Sequence, residues 1–184
     1  MLDIKKDEDL ANLQPYLLFE SGKACYIMAR TSLAFAIEFA VPGLLLMQQA
    51  IENLIKALLS QNGTSWENGR RGHDFMILLN TGAEKISVFS MILDRKDMCR
   101  LLKQLMEGYN AQRYGESRHY LDRKDTMMDL FDEIVYLFVE GFMRGSPRGV
   151  KAGEPIILIV PKELQSRFSR KLKQRFEVVD ALLD

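Results

Sequence analysis

Cysteine and histidine are both scarce in this 184-residue chain, with two residues of each. Cys25 and Cys99 both fall inside apolar helical patterns, which excludes a disulfide framework and predicts reduced packing residues of a cytoplasmic protein. With so few histidines and no CxxC or HExxH spacing, a His- or Cys-based metal site is excluded, and neither metal nor cofactor is expected. There is no GxSxG and no GxxxxGK[ST], so neither a serine nucleophile elbow nor a phosphate-cradling loop is present. Charge of one sign is missing too. Twenty-five Lys and Arg balance twenty-five Asp and Glu, so the chain as a whole has no field for nucleic acid or an anionic membrane, and such affinity would need a local patch. Long hydrophobic runs are absent. Ser32 to Met47 carries Glu38, is interrupted by Pro42 and Gly43, and falls short of the roughly 20 residues that span a bilayer. The start, MLDIKKDEDL, lacks the apolar stretch of a signal peptide.

What remains is a globular composition, 47% hydrophobic and 27% charged, which excludes general disorder. Its periodicity is helical. A first helix, about Tyr16 to Ala40, is apolar on most of its circumference and is expected to be central, with Pro42 and Gly43 ending it. In a second, Met47, Ala50, Ile51, Leu54, Ile55 and Leu58 recur at i, i+3, i+4, i+7, i+8 and i+11. Gln48, Gln49, Glu52, Asn53 and Lys56 lie between them, predicting a polar side on which Glu52 and Lys56 form a solvated i, i+4 pair. The stretch Gln61 to Asp74 (QNGTSWENGRRGHD) has three glycines and no apolar period, and reads as a surface loop. Asp74 is placed to cap a third helix through Phe75, Leu78, Leu79, Ala83, Ile86 and Phe89. Asp94 or Asp97 caps a fourth, with Met98, Leu101, Leu102, Leu105, Met106 and Tyr109 on one face, ending near Gly115. A fifth begins around Asp125 and aligns Met127, Phe131, Ile134, Val135, Phe138 and Phe142.

Beyond the fifth helix the pattern changes. Arg144 to Pro155 holds three glycines and two prolines and reads as a linker. Ile156 to Val160 (IILIV) reads as a strand with no evident partner, hence an apolar strap or an addition to another sheet. A last helix, opening at Pro161, carries the stripe Leu164, Phe168, Leu172, Phe176, Val179 and Leu183. Its stretch from Lys162 to Arg175 includes the basic residues Arg167, Arg170, Lys171 and Lys173. Asp122 to Glu140 is by contrast acidic, so the basic face either meets that helix or binds RNA or phosphate. The expected fold is an all-α, up-and-down bundle of four to five helices over residues 1–143. Residues 144–184 then supply a linker, strap and basic amphipathic helix, packed on the same domain or on a dimer mate.

Three blocks carry a resemblance. QQAIENLIKALL (Gln48 to Leu59), GHDFMILL (Gly72 to Leu79) and YNAQRY (Tyr109 to Tyr114), in this order and spacing, resemble the HEPN domain family over about residues 15–142. That resemblance implies a helical homodimer working beside a small nucleotidyltransferase, often as a toxin–antitoxin or nucleotide-handling pair. It offers two kinds of site. One family branch carries a Tyr…Arg-Tyr-Pro nucleotide-binding motif, which Tyr109, Arg113 and Tyr114 match, with Gly115 in place of the Pro. The other is a metal-independent ribonuclease with Arg and His separated by four to six residues, a spacing that Arg113 and His119 meet.

The chemistry of each reading is definite. Arg113 would stabilise phosphorane charge while His119 moves a proton near neutral pH. Six positions on a continuous helix, however, set the two about 120° apart. In the binding reading Arg113 takes phosphate and Tyr109 or Tyr114 stacks on a base. Arg70 and Arg71, next to His73 before a helix N-terminus, are a further anion-binding candidate. The order that follows is a nucleotide- or partner-binding module without its own catalysis, then a ribonuclease using Arg113 and His119, then a structural dimerisation module. Nucleotide or RNA, a second copy and a nucleotidyltransferase are the partners considered, and a membrane is not among them.

Overall fold

The computed structural model describes residues 8–35, 40–114, 125–146, 156–160 and 176–180, with side-chain surroundings for 13–33, 42–108 and 127–146. These residues form a helical bundle: α1 (Glu8–Phe35), α2 (Ala40–Gln61), α3 (Phe75–Gly82), α4 (Ser87–Leu93), α5 (Lys96–Tyr114) and α6 (Asp125–Gly145). None of the described helices is long and apolar enough to cross a membrane.

Helix α2, not α1, lies at the centre. Met47, Ala50, Ile51, Leu54, Ile55, Ala57, Leu58 and Leu59 are all buried, and so are Gln48, Glu52 and Asn53 on the side expected to face solvent. The apolar stripe seen in the sequence is real, but α1, α6, α3 and α5 pack around it on more sides than one stripe requires. Helix α1 is peripheral, and its additional apolar residues Leu13, Leu17 and Met28 stay exposed. It runs antiparallel to α2 at close range. A Cβ on Gly22 would stand 2.8 Å from Leu54 Cγ, and one on Gly43 2.7 Å from Leu33 Cγ, so two glycines set the spacing. Pro42 does not end α1. It occupies the first turn of α2, where a missing N–H costs no hydrogen bond.

The expected third helix is two. Asp74 caps α3 as expected, its carboxylate accepting from the Met76 and Ile77 amides at 2.9 and 3.1 Å. The helix then ends at Gly82, pressed against the Phe89 ring and Leu59, and the chain restarts at Ser87. Ser90 donates to the Ala83 carbonyl at 2.7 Å, securing the corner that an unbroken apolar period concealed. At the start of α5, Asp97 receives Arg95 at 2.6 Å and the Met98 amide at 3.0 Å. The Arg95 bond, more than the amide, holds the Asp97 carboxyl down at about 2. Helix α6 has the expected bounds and buries Phe131, Ile134, Val135, Phe138 and Phe142 on one face. Phe142 stacks on Phe19 at 4.1 Å, and Phe138 meets Phe89 edge-on at 6.0 Å, joining α1 and α4 to the same core.

Where α1 meets α6 the core holds a charged group. Tyr26 donates to Asp132 Oδ1 at 2.9 Å, and Arg30 pairs with the same oxygen at 3.2 Å, the two charged side chains being 10% and 3% exposed. Burial, then the neighbouring carboxylate, pushes the Tyr26 phenol well above its usual value, with Arg30 opposing.

The tail departs from expectation. Ile156–Val160 (β1) does have a partner, Phe176–Asp180 (β2), pairing in parallel from Ile156 opposite Phe176 to Val160 opposite Asp180. Phe176 and Val179 were expected to extend the last helix. Instead Phe176, Val178 and Val179, aromatic and β-branched, take strand geometry against the apolar β1. A parallel pair needs a crossover of about a dozen residues or more, and 161–175 separate the strands. Arg167, Arg170, Lys171 and Lys173 fall in that interval, outside the described residues.

Replacing Asp132 by Ala leaves the Arg30 charge and the Tyr26 hydroxyl buried together, and is expected to lower the unfolding free energy by about 3–5 kcal/mol in urea titrations. In alkaline absorbance titrations the native protein and Tyr26→Phe are expected to give the same phenolate amplitude, because Tyr26 ionises only on unfolding. Its contribution to stability is complete below about pH 10 and declines above, where the unfolded chain alone loses the proton.

Candidate functional site

The loop between α2 and α3 is shaped by its glycines. Gly63 and Gly69 have φ of +62° and +73°, the left-handed region other residues avoid. A Cβ on Gly72 would lie 2.0 Å from the Glu67 carbonyl oxygen, so only glycine fits there. The chain therefore closes into a tight 3₁₀ turn, Gly69–His73, that carries Arg70, Arg71 and His73.

This turn is fastened to the central helix. His73 Nδ1 donates to Glu52 Oε1 at 2.8 Å, and Lys56 Nζ donates to the same oxygen at 2.7 Å. A carboxylate only accepts, which fixes the proton on His73 Nδ1. Glu52 and Lys56 are 9% and 12% exposed, whereas His73 is 61% exposed, so the histidine is the outer member of the cluster. Lys56 also stands 5.6 Å from the centre of the Trp66 ring, placing the chain's one tryptophan against the ammonium. Glu52 and Lys56, expected as a solvated pair, are a buried one. One turn earlier on α2, Gln48 is buried as well, and its Oε1 meets no donor among the described residues. On the neighbouring face Asn53 accepts from Gln49 and donates to Ser21, both at 3.0 Å, tying α2 to α1.

Arg70 and Arg71 are exposed. Arg71 pairs with Glu67 at 3.2 Å on the surface of the turn, while among the described residues Arg70 has no anionic partner. Tyr109, Arg113 and Tyr114 belong to the last turns of α5, where the backbone but not the side chains is described; His119 lies outside the described residues. The two candidate regions are nevertheless related by the fold. The Phe75 amide donates to Met106 Sδ at 3.2 Å, setting the start of α3 beside the later part of α5. Nearer the start of α5, Cys99 Sγ lies 3.5 Å from the Leu93 carbonyl of α4. The Gly69–His73 turn ends two residues before Phe75, and the stretch holding Tyr109, Arg113 and Tyr114 begins three residues after Met106, so the contact of Phe75 with Met106 links the two segments.

Sequence reasoning placed His73 beside the Asp74 cap and missed its bond to Glu52. No local signal pointed to it, since only the closure of the loop brings His73 to Glu52. Among the described residues no group of three or more His, Cys, Asp or Glu could hold a metal ion. Chemically, the cluster offers a buried carboxylate bonded to an ammonium and an imidazole, an indole face, and an exposed guanidinium on the adjoining turn. Compared with known proteins, the chain matches no family model, no curated protein and no solved structure.

His73→Ala removes the link between turn and helix while leaving Glu52 with Lys56. It is expected to speed tryptic cleavage after Arg70 and Arg71 several-fold, mapped by mass spectrometry, with a stability change of no more than about 1 kcal/mol.

Proposed function

We propose that this chain is a HEPN-like helical module that binds a nucleotide, has no catalysis of its own, and acts beside a separate nucleotidyltransferase in the cytoplasm. Two things support the reading. The first is the resemblance of the three sequence blocks. The second, which carries it, is that the contact of Phe75 with Met106 joins the helix that follows Arg70 and Arg71 to the helix that ends in Tyr109, Arg113 and Tyr114. In this reading Arg113 and Arg70 take the phosphates in the manner suited to guanidinium. Tyr109 and Tyr114 provide stacking surfaces for the base. The Glu52–Lys56–His73 cluster holds the turn that carries Arg70 against α2, so that little ordering is left for the ligand to impose.

Trp66 supplies the measurement, being the only tryptophan and lying within the cluster. Titration of the full chain with ATP and with AMP in EDTA is expected to change its fluorescence saturably, and Arg113→Ala to weaken binding at least about tenfold, the loss of one charge-assisted contact. Absence of binding up to millimolar nucleotide overturns the reading. Metal-independent cleavage of RNA, lost in both Arg113→Ala and His119→Ala, replaces it with a ribonuclease.

A further inference from the structure

The chain contains two Asn-Gly dipeptides, Asn62-Gly63 and Asn68-Gly69, and the loop between α2 and α3 holds both. In an Asn-Gly dipeptide the asparagine side chain is open to attack by its own main chain, because the following residue has no side chain to shield its nitrogen. The two dipeptides are alike in several respects. Both asparagines are exposed, both glycines have positive φ, and a Cβ on either glycine would meet nothing within 4 Å. They differ in what holds them.

Asn62 is fastened at each group that such a reaction uses. Its Nδ2 donates to the Leu58 carbonyl at 2.8 Å, its own amide bonds the Leu58 and Leu59 carbonyls at 3.1 Å, and the Gly63 nitrogen donates to the Ser60 carbonyl at 3.1 Å. Asn68 has none of these ties. It precedes the Gly69–His73 turn in extended conformation, with ψ of 165°, and its side chain makes no capping bond. Gly69 opens the turn, so its N–H has no carbonyl within the turn to bond, and no other backbone carbonyl among the described residues receives it. An electrophilic amide carbon and the nitrogen next to it in the chain thus stand exposed and unbonded.

We propose that Asn68 is a site of self-modification, losing its amide through a cyclic imide with Gly69, while Asn62 in the same loop is protected. The Gly69 nitrogen bonds to Asn68 Cγ, the Cγ–Nδ2 bond breaks, and the amide group leaves as ammonia with the proton from Gly69. Water then opens the imide and returns a proton to the Gly69 nitrogen. Opening at Cγ restores the normal backbone with an aspartate at 68. Opening at the main-chain carbonyl routes the chain through Cβ and Cγ, as isoaspartate. One water is consumed, one ammonia is released, and nothing is oxidised or reduced. Both products place a new carboxylate between Glu67 and the exposed Arg70 and Arg71. Isoaspartate also lengthens the backbone by one carbon, in a turn where Gly72 already presses on the Glu67 carbonyl. It thereby draws His73 off Glu52 and unfastens the turn from α2. None of this depends on nucleotide binding.

The full chain, kept for weeks in neutral buffer at physiological temperature and digested with pepsin at acid pH, is read by mass spectrometry, with fragment ions separating position 62 from 68. In the native protein Asn68 is expected to convert at least about tenfold faster than Asn62, the difference that the hydrogen bonds at Asn62 amount to. In guanidinium, where those bonds are gone, the two are expected to convert at rates within about twofold of each other. The purified isoaspartate form is expected to exchange the amides of residues 69–73 for deuterium several-fold faster than fresh protein, whereas Asn68→Asp exchanges them as fresh protein does. Equal native rates at the two sites overturn the proposal, as does a native Asn68 that stays intact while the unfolded one converts. An isoaspartate form whose turn exchanges no faster than fresh protein overturns the unfastening.

Discussion

The burial of α2 on nearly all sides is the constraint from which the rest of the structure follows. A helix that carries Glu52, Asn53 and Lys56 cannot be enclosed without partners for these groups, since an unpaired charge inside a core costs several kcal/mol. The partners come from both sides in sequence. Ser21 of α1 meets Asn53, and His73 of the loop after α2 meets Glu52. The polar residues of the central helix thus specify which neighbours may approach and at what height, while the apolar residues supply most of the driving force. The buried Tyr26, Arg30 and Asp132 group applies the same logic between α1 and α6.

Much of this was legible in the chain itself. The core positions of α6, the Asp74 cap and the glycine-dependent loop all follow from local rules, and the structure has them as read. Local rules cannot say how many neighbours a helix will have. Met47 to Leu58 gives one stripe, and a stripe implies one buried face, yet α2 has several because other helices close around it. For the same reason α1, richer in apolar residues, was expected inside and lies at the edge. The split between α3 and α4 escaped notice because Gly82 is small for reasons of packing against Phe89 and Leu59, which a period of apolar residues does not reveal. Phe176 to Asp180 fits a helical stripe as well as a strand, and only the remote pairing with β1 decides.

The candidate site was less legible than the fold. Arg70 and Arg71 were visible as a basic pair, and Tyr109, Arg113 and Tyr114 as part of a motif. What links them is the contact of α3 with α5 at Phe75 and Met106, a tertiary fact with no trace in either segment. His73 and Glu52 are likewise joined only by the closure of a loop. The residues that stabilise the site are therefore harder to read than those that would touch a ligand, because they work through position.

The close approach of Gly72 to Glu67 divides the α2–α3 loop into two parts with different tolerance to change in length. Residues 67–73 form a closed figure, and one added residue there would carry His73 away from Glu52. Residues 62–65, before Trp66, contribute no side chain to the cluster, and material inserted among them would bulge outward without altering the distance from turn to helix. Should this surface be extended to carry a tag, an epitope or a new recognition segment, the fold offers a position for it a few residues from the site and mechanically separate from it.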